Sequence, residues 1–404
     1  MSDQGAGAPG LRLLRWLLLL WLAGITMRIA ILAVPPVIPL IHADLALSET
    51  QVGLLMGLPL AMFAIAALPG SLLIARFGAL RVLVIGMVIT AVAGSGRGAV
   101  GDIAGLYLAT LAMGAGVAIM QPAVPALVRE WLPDRPILGS TLASNGMLVG
   151  ATLTSILTYP VMLPAVGGSW RLDLVAWSMP ILLIAIVIAV AARHAPVSRT
   201  DARTASGGRW WPDWRSRLTW MLGLTFGFNN AVYFGANAFL PDYLTHQGRA
   251  DLIGHALGAI NGAQFVATFI LMFAAGRISG RLWPYLVFGS LTVAGLIAIM
   301  LSEGPAVVAA AGLVGFSTAM TFAILLALPA QVSAPGDVHR TAAGMFTISY
   351  SLAVVVPVMS GAVWDISGIP AAAFAVMALC GLMLTVLGAM LHRAGQSARS
   401  GWTS

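Results

Sequence analysis

Twelve apolar stretches fill this chain from end to end, and short polar loops are nearly all that separates them. They run over residues 13–41, 50–75, 80–97, 103–128, 137–163, 170–193, 217–245, 251–275, 283–301, 305–332, 340–364 and 369–392. A helix needs about 20 apolar residues to cross the hydrocarbon core of a bilayer, and stretch after stretch meets that length. With 59% hydrophobic and 9% charged residues, the composition excludes an ordinary soluble domain. The expected fold is therefore an all-α polytopic membrane protein with twelve transmembrane helices. The 45 glycines fit this reading, because small residues let membrane helices approach closely.

The N-terminus resembles a secretory signal, with Arg12 and Arg15 ahead of an apolar run. That run continues past Arg28 to Ile41, which is too long for a cleaved signal, so it is read as the first membrane helix. The single cysteine, Cys380, lies in the last stretch and excludes an intrachain disulfide.

Charge gives the orientation. All 21 basic residues are arginine. With the N-terminus inside, Arg12, Arg15, Arg76, Arg81, Arg129, Arg135, Arg277, Arg281, Arg340, Arg393 and Arg399 fall on the cytoplasmic side, as cytoplasmic loops require. The loop from Arg193 to Arg217 adds six more. The other side receives Arg97, Arg171 and Arg249. A bacterial inner (plasma) membrane protein with both termini cytoplasmic is expected.

That central loop, residues 194–216, is a polar, basic linker at the midpoint of the chain, and Trp210, Trp211 and Trp214 suit the inner membrane surface. It divides an N-terminal six-helix bundle, 1–193, from a C-terminal one, 217–404. Weak echoes between the halves agree with two related repeats. Pro39 and Pro241 close the first and seventh stretches, and Pro125-Ala126 and Pro329-Ala330 occupy matching places in the fourth and tenth.

The residues between the second and third stretches read Ser71-Leu72-Leu73-Ile74-Ala75-Arg76-Phe77-Gly78-Ala79-Leu80-Arg81. Here the chain resembles the major facilitator superfamily, whose loop at this place is short and basic; the acidic residue of the family pattern is replaced by Ala75. It is similar to the cyanate and nitroimidazole permease branch at Met27-Arg28, Gln121 with Pro125, Asn230 and Tyr233 ahead of Leu240-Pro241, and Gln264. The resemblance implies two bundles working by alternating access on a small anionic or polarised solute, as a monomer. A drug or metabolite efflux pump of the same fold is the alternative; a membrane enzyme or sensor is the alternative of another class.

Arg28 is the leading candidate site residue. It sits near the middle of the first stretch, where a cation costs roughly 2.5–3.5 kcal/mol on insertion scales. Pro35, Pro36 and Pro39 follow and should bend the helix, which is tolerated only beside protein or a water-filled cavity. Asn230, Tyr233 and Asn237 recur at i, i+3, i+7 and share one helical face. Gln121, Asn145, Asn261, Gln264 and Tyr350 complete the expected solute contacts. Hydrogen bonding between helices explains each of these polar residues equally well.

Arg97 falls near the outer interface, where snorkelling is the preferred reading and a second cation for an anion the other. The acidic residues Asp44, Glu49, Asp242, Asp251 and Asp365 fall near the outer ends of stretches, which disfavours a dedicated proton relay and leaves His255 as a weak candidate. Facilitated diffusion or exchange is expected on that basis. No ATP-binding, metal-ligand or nucleophile–base pattern is visible, so no cofactor, metal or catalytic residue is assigned.

The arginine asymmetry makes a direct prediction. Cysteines placed at Ser2, Ser206 and Ser400 should not react with an impermeant thiol reagent added outside intact cells; outside labelling at Ser206 would overturn the orientation.

Overall fold

A computed structural model of the chain describes residues 9–192, 211–278, 281–333 and 337–400. Most of the expected linker, including Trp210 and Ser206, lies outside the described residues. The helices are α1 (Pro9–Leu32), α2 (Ile38–Leu45), α3 (Glu49–Phe77), α4 (Ala79–Gly96), α5 (Ile103–Trp131), α6 (Pro136–Leu157), α7 (Leu163–Ala165), α8 (Trp170–Ala191), α9 (Arg217–His246), α10 (Ile253–Ile278), α11 (Trp283–Leu301), α12 (Pro305–Val332), α13 (Val338–Ser367) and α14 (Ala372–Ser400). No strand occurs among the described residues.

Ten spans among the described residues are long and apolar enough to cross a membrane, with α1 and α2 forming one of them, Leu13–Leu45. The Glu49–Ile65 part of α3 is apolar but shorter. The thirty-residue α9 is a continuous helix whose apolar character is broken by Asn229, Asn230, Asn237 and Asp242. The fold is the all-α, polytopic arrangement that the sequence implies.

The first span breaks where its prolines require it. Helix α1 ends at Leu32, a single 3₁₀ turn covers Pro35–Val37, and α2 resumes at Ile38. Proline supplies no backbone N–H and its ring clashes with the preceding turn, so an α-helix cannot run straight through Pro35-Pro36. Helix α2 then stops at Ala46, which takes a left-handed conformation at φ 49° and turns the chain into α3. A second irregularity, a π turn over Thr158–Met162, precedes α7.

The chain forms two compact units. One holds α1, the part of α3 from Ala66, α4, α5, most of α6, α7 and α8. In it α4 packs on α5 and α8, and α1 on α5 and α8. The backbones of α1 and α6 come close because glycines meet across them: a Cβ on Gly24 would strike the carbonyl of Ala143, and one on Gly146 or Gly150 the carbonyls of Trp21 and Ile25. Close backbone approach through small residues is a main source of helix association in lipid.

The other unit holds the Pro35–Val37 turn, α2, α3 as far as Ile65, residues 155–161, and α9 to α14. Here α9 packs on α13 and α14, α10 on α12, and α11 on α12 and α14. Phe226, Tyr285, Phe288, Met320, Leu325 and Met345 are among the side chains of its core. Within both units many buried hydroxyls fold back onto their own helix. Thr225 donates to the Met221 carbonyl, Thr318 to Val314, Thr321 to Ser317 and Ser178 to Leu174. That satisfies them without water.

The glycine contacts give a test. Gly150→Val should destabilise the protein by about 1–3 kcal/mol or more through overpacking against α1. At Gly262 the space a Cβ would enter is open, with no atom within 4 Å. Gly262→Ala should therefore leave the melting temperature in detergent unchanged or raise it, since alanine is the better helix former. Equal melting temperatures for Gly150→Val and the parent would refute the close α1–α6 contact.

Candidate functional site

The expected solute contacts fall in both units. Arg28, Gln121 and Asn145 lie on α1, α5 and α6 of the first. Arg28 is half-buried, one turn before α1 ends, and is engaged by the surrounding protein. Gln121 is half-buried beside Pro122, one of two prolines inside α5. Asn145 is half-buried, and its carboxamide oxygen accepts a hydrogen bond from Trp21 Nε1 at 2.9 Å. Asn145 thus serves at least one structural contact, at the place where Gly146 presses on α1.

The second unit brings the remaining candidates together. Tyr233 Oη donates to Asn261 Oδ1 at 2.6 Å. Asn261 Nδ2 has three acceptors in reach: Ser155 Oγ at 3.0 Å, Asn237 Oδ1 at 2.9 Å and the Leu257 carbonyl at 2.9 Å. Asn237 Nδ2 donates to the Tyr233 carbonyl at 2.9 Å. Gln264 Nε2 donates to Asn261 Oδ1 at 3.3 Å. Asn230 Nδ2 donates to Ser349 Oγ at 2.8 Å, and so ties α9 to α13. Asn237 and Asn261 are fully buried, whereas Gln264 and Tyr350 are half-buried. The Tyr350 ring meets Phe63 edge-on at 5.2 Å and stacks on Phe346 at 6.0 Å.

The i, i+3, i+7 face of α9 is real, but its residues turn to different partners. Asn230 goes to α13; Tyr233 and Asn237 go to α10. Asn261 is the hub, and it joins α9, α10 and Ser155. Ser155 carries no pattern in the sequence. It enters because Gly254 and Gly258 leave room on α10 for residues 155 and 156.

Three expectations change. Arg97 does not snorkel. It is 1% exposed, with Nη2 donating to the Ala30 carbonyl at 3.1 Å and Nε to the Gly94 carbonyl at 3.4 Å. Its Nη1 has no hydrogen-bond partner among the described residues. The glycines at 94 and 98 draw α4 onto α8 at Ser178 and Arg171 and enclose the guanidinium. The acidic residues are also not all at wet helix ends. Glu49, Asp173 and Asp242 are buried, although Glu49 opens α3 and Asp242 lies near the end of α9. Lastly, His42, Glu49 and Asp242 converge into a group with metal-ligand chemistry that no sequence spacing shows.

Membrane-length helices, proline breaks and polar side chains held inside the protein define a multi-pass membrane protein. The sequence matches the Major Facilitator Superfamily over residues 20–356, and the chain belongs to that family. It is 28% identical over 377 residues to the cyanate transport protein of Escherichia coli (strain K12), covering 92% of this chain and 96% of that one. It is 25% identical over 376 residues to the 2-nitroimidazole transporter of the same organism, covering 90% and 91%. Its fold is similar to the crystal structure of a bacterial homologue of the human lysosomal transporter Spinster. The TM-score is 0.74 at 16% identity, over 95% of this chain and 96% of that one. The family and these relatives identify a transporter of a small-molecule solute, not an enzyme.

The hub role of Asn261 is testable. Tyr233→Phe removes one hydrogen bond and should lower stability by about 0.5–1.5 kcal/mol. Asn261→Leu strands several buried groups at once, each costing about 1–3 kcal/mol. Its melting temperature in detergent should therefore fall clearly below that of Tyr233→Phe. The reverse order would show that Asn261 does not organise the network.

Proposed function

We propose that the chain moves a small anionic or polarised solute across a bacterial inner membrane by alternating access, as a monomer with both termini cytoplasmic. Arg28 carries the reading. It is a half-buried guanidinium near the middle of a 33-residue span, just before that span breaks. A permanently charged, planar donor held inside protein at that depth favours an acceptor-rich partner. The named solutes of the two Escherichia coli relatives, cyanate and 2-nitroimidazole, are of this kind, being small and either anionic or strongly polarised. In the second unit, Gln264 and Tyr350 are the half-buried candidates. Asn237 and Asn261 hold the polar network around Gln264 in place.

Uptake by purified protein in liposomes, over a panel of small anions and neutral polar solutes, tests the class. The parent should accept members of the cyanate and nitroimidazole type. Arg28→Ala should abolish binding. Arg28→Lys should lose much of it, because lysine keeps the charge but lacks the fork that grips two acceptors. Normal transport by a well-folded Arg28→Ala preparation would make Arg28 structural and leave the anionic reading without support.

A further inference from the structure

His42, Glu49 and Asp242 are drawn from three separate helices and meet in the second unit. Their convergence follows from the backbone. The break at Pro35-Pro36 creates the short helix α2, with His42 in its last turn. The left-handed residue Ala46 then reverses the chain, so that Glu49 opens α3. Helix α2 packs on α9, which delivers Asp242 directly after Pro241.

The geometry is tight. His42 Nδ1 is 3.1 Å from Asp242 Oδ2 and 3.8 Å from Glu49 Oε1. One ligand atom from each of the three residues lies within 4.8 Å of the other two. Ligand atoms around a first-row metal with bonds of about 2.0–2.2 Å stand roughly 3–3.5 Å apart. The three side chains are therefore within a small contraction of a coordination shell.

The carboxyl groups of the cluster have few partners. Glu49 and Asp242 are each 4% exposed, and the only ion-pair partner of either among the described residues is His42. Glu49 Oε2 is buried with no hydrogen-bond partner among the described residues. Nearby Asp365 is differently placed. It accepts the N–H groups of Glu49 and Thr50, both at 2.9 Å, and the Thr50 hydroxyl at 2.5 Å. Asp365 caps α3 and fixes Glu49, as does the contact of Gly361 with the Glu49 carbonyl. Two buried carboxyl groups therefore face one imidazole, and their charge must be neutralised by protons or by a bound cation.

We propose that His42, Glu49 and Asp242 bind one first-row divalent metal ion. With a neutral imidazole, the ion cancels both carboxylates and uses the orphaned Glu49 oxygen. One nitrogen and two carboxylate donors select a first-row transition ion over Mg²⁺ or Ca²⁺, which take oxygen shells. The His42 side chain is 31% exposed and supplies the path of entry. Bound metal would tie α2, the start of α3 and α9 together. The proposal does not depend on which solute is carried.

The test uses tag-free, full-length protein in nanodiscs, washed with chelator and titrated with Co²⁺. One equivalent should bind per chain, with a visible d–d absorption that Zn²⁺ displaces. Even outer-shell changes at metal sites cost about 10–100-fold in affinity. Glu49→Gln, Asp242→Asn and His42→Gln should thus each weaken Co²⁺ binding at least about tenfold, and His255→Gln should not. In the unsubstituted protein, Co²⁺ should protect His42 from diethylpyrocarbonate, read by peptide mass spectrometry, so the result stands even if a variant fails to fold. Two results would overturn the proposal: no saturable Co²⁺ binding by the parent, or equal binding by all three ligand variants. In either case the carboxylates hold protons only.

Discussion

The dominant constraint on this molecule is that backbone and side-chain polar groups inside a membrane must find partners within the protein. Water cannot serve them there, so the chain resolves into helices that satisfy their own N–H and C=O groups. Buried hydroxyls obey the same rule by bonding to carbonyls one turn back, as Thr225, Thr318 and Thr321 do. Longer polar side chains cannot reach their own backbone so easily, and they bond across helices instead.

That rule explains why the polar residues form clusters. Asn261 gathers Tyr233, Asn237, Gln264 and Ser155. Arg97 reaches the Ala30 carbonyl on α1 from the end of α4. Asp365 closes the N-terminus of α3, where unsatisfied N–H groups and the helix dipole both favour a carboxylate. Among the described residues, the charged side chains with a buried atom that finds no hydrogen-bond partner stand out by contrast: Arg97 at Nη1, Glu49 at Oε2 and Asp173 at both oxygens. Orphaned charged groups of this kind are where a transporter's interior is expected to take up ions, protons or solute.

Prolines and glycines divide the remaining work. Pro35-Pro36 break the first span and so make α2. Gly24, Gly146 and Gly150 let α1 and α6 touch along their backbones. Each also fixes where candidate site residues fall: Arg28 before the break, His42 after it, and Asn145 at the close contact.

The sequence alone determined the class, the spans and the break. Apolar length and the run Pro35-Pro36 act locally, through lipid solvation and backbone sterics, and local effects are legible without a fold. The shared face of Asn230, Tyr233 and Asn237 was legible for the same reason, since helical period follows from spacing. Only the tertiary structure decided what those side chains meet. Tyr233 pairs with Asn261 and Asn230 with Ser349, on two different helices. Arg97 is enclosed because glycines 94 and 98 admit α8, where distance along the helix had placed it at the interface. His42, Glu49 and Asp242 are brought within metal-ligand distance by a proline break, a left-handed turn and the packing of α2 on α9. Such contacts depend on which helices pack together, and no local pattern in a single sequence encodes that.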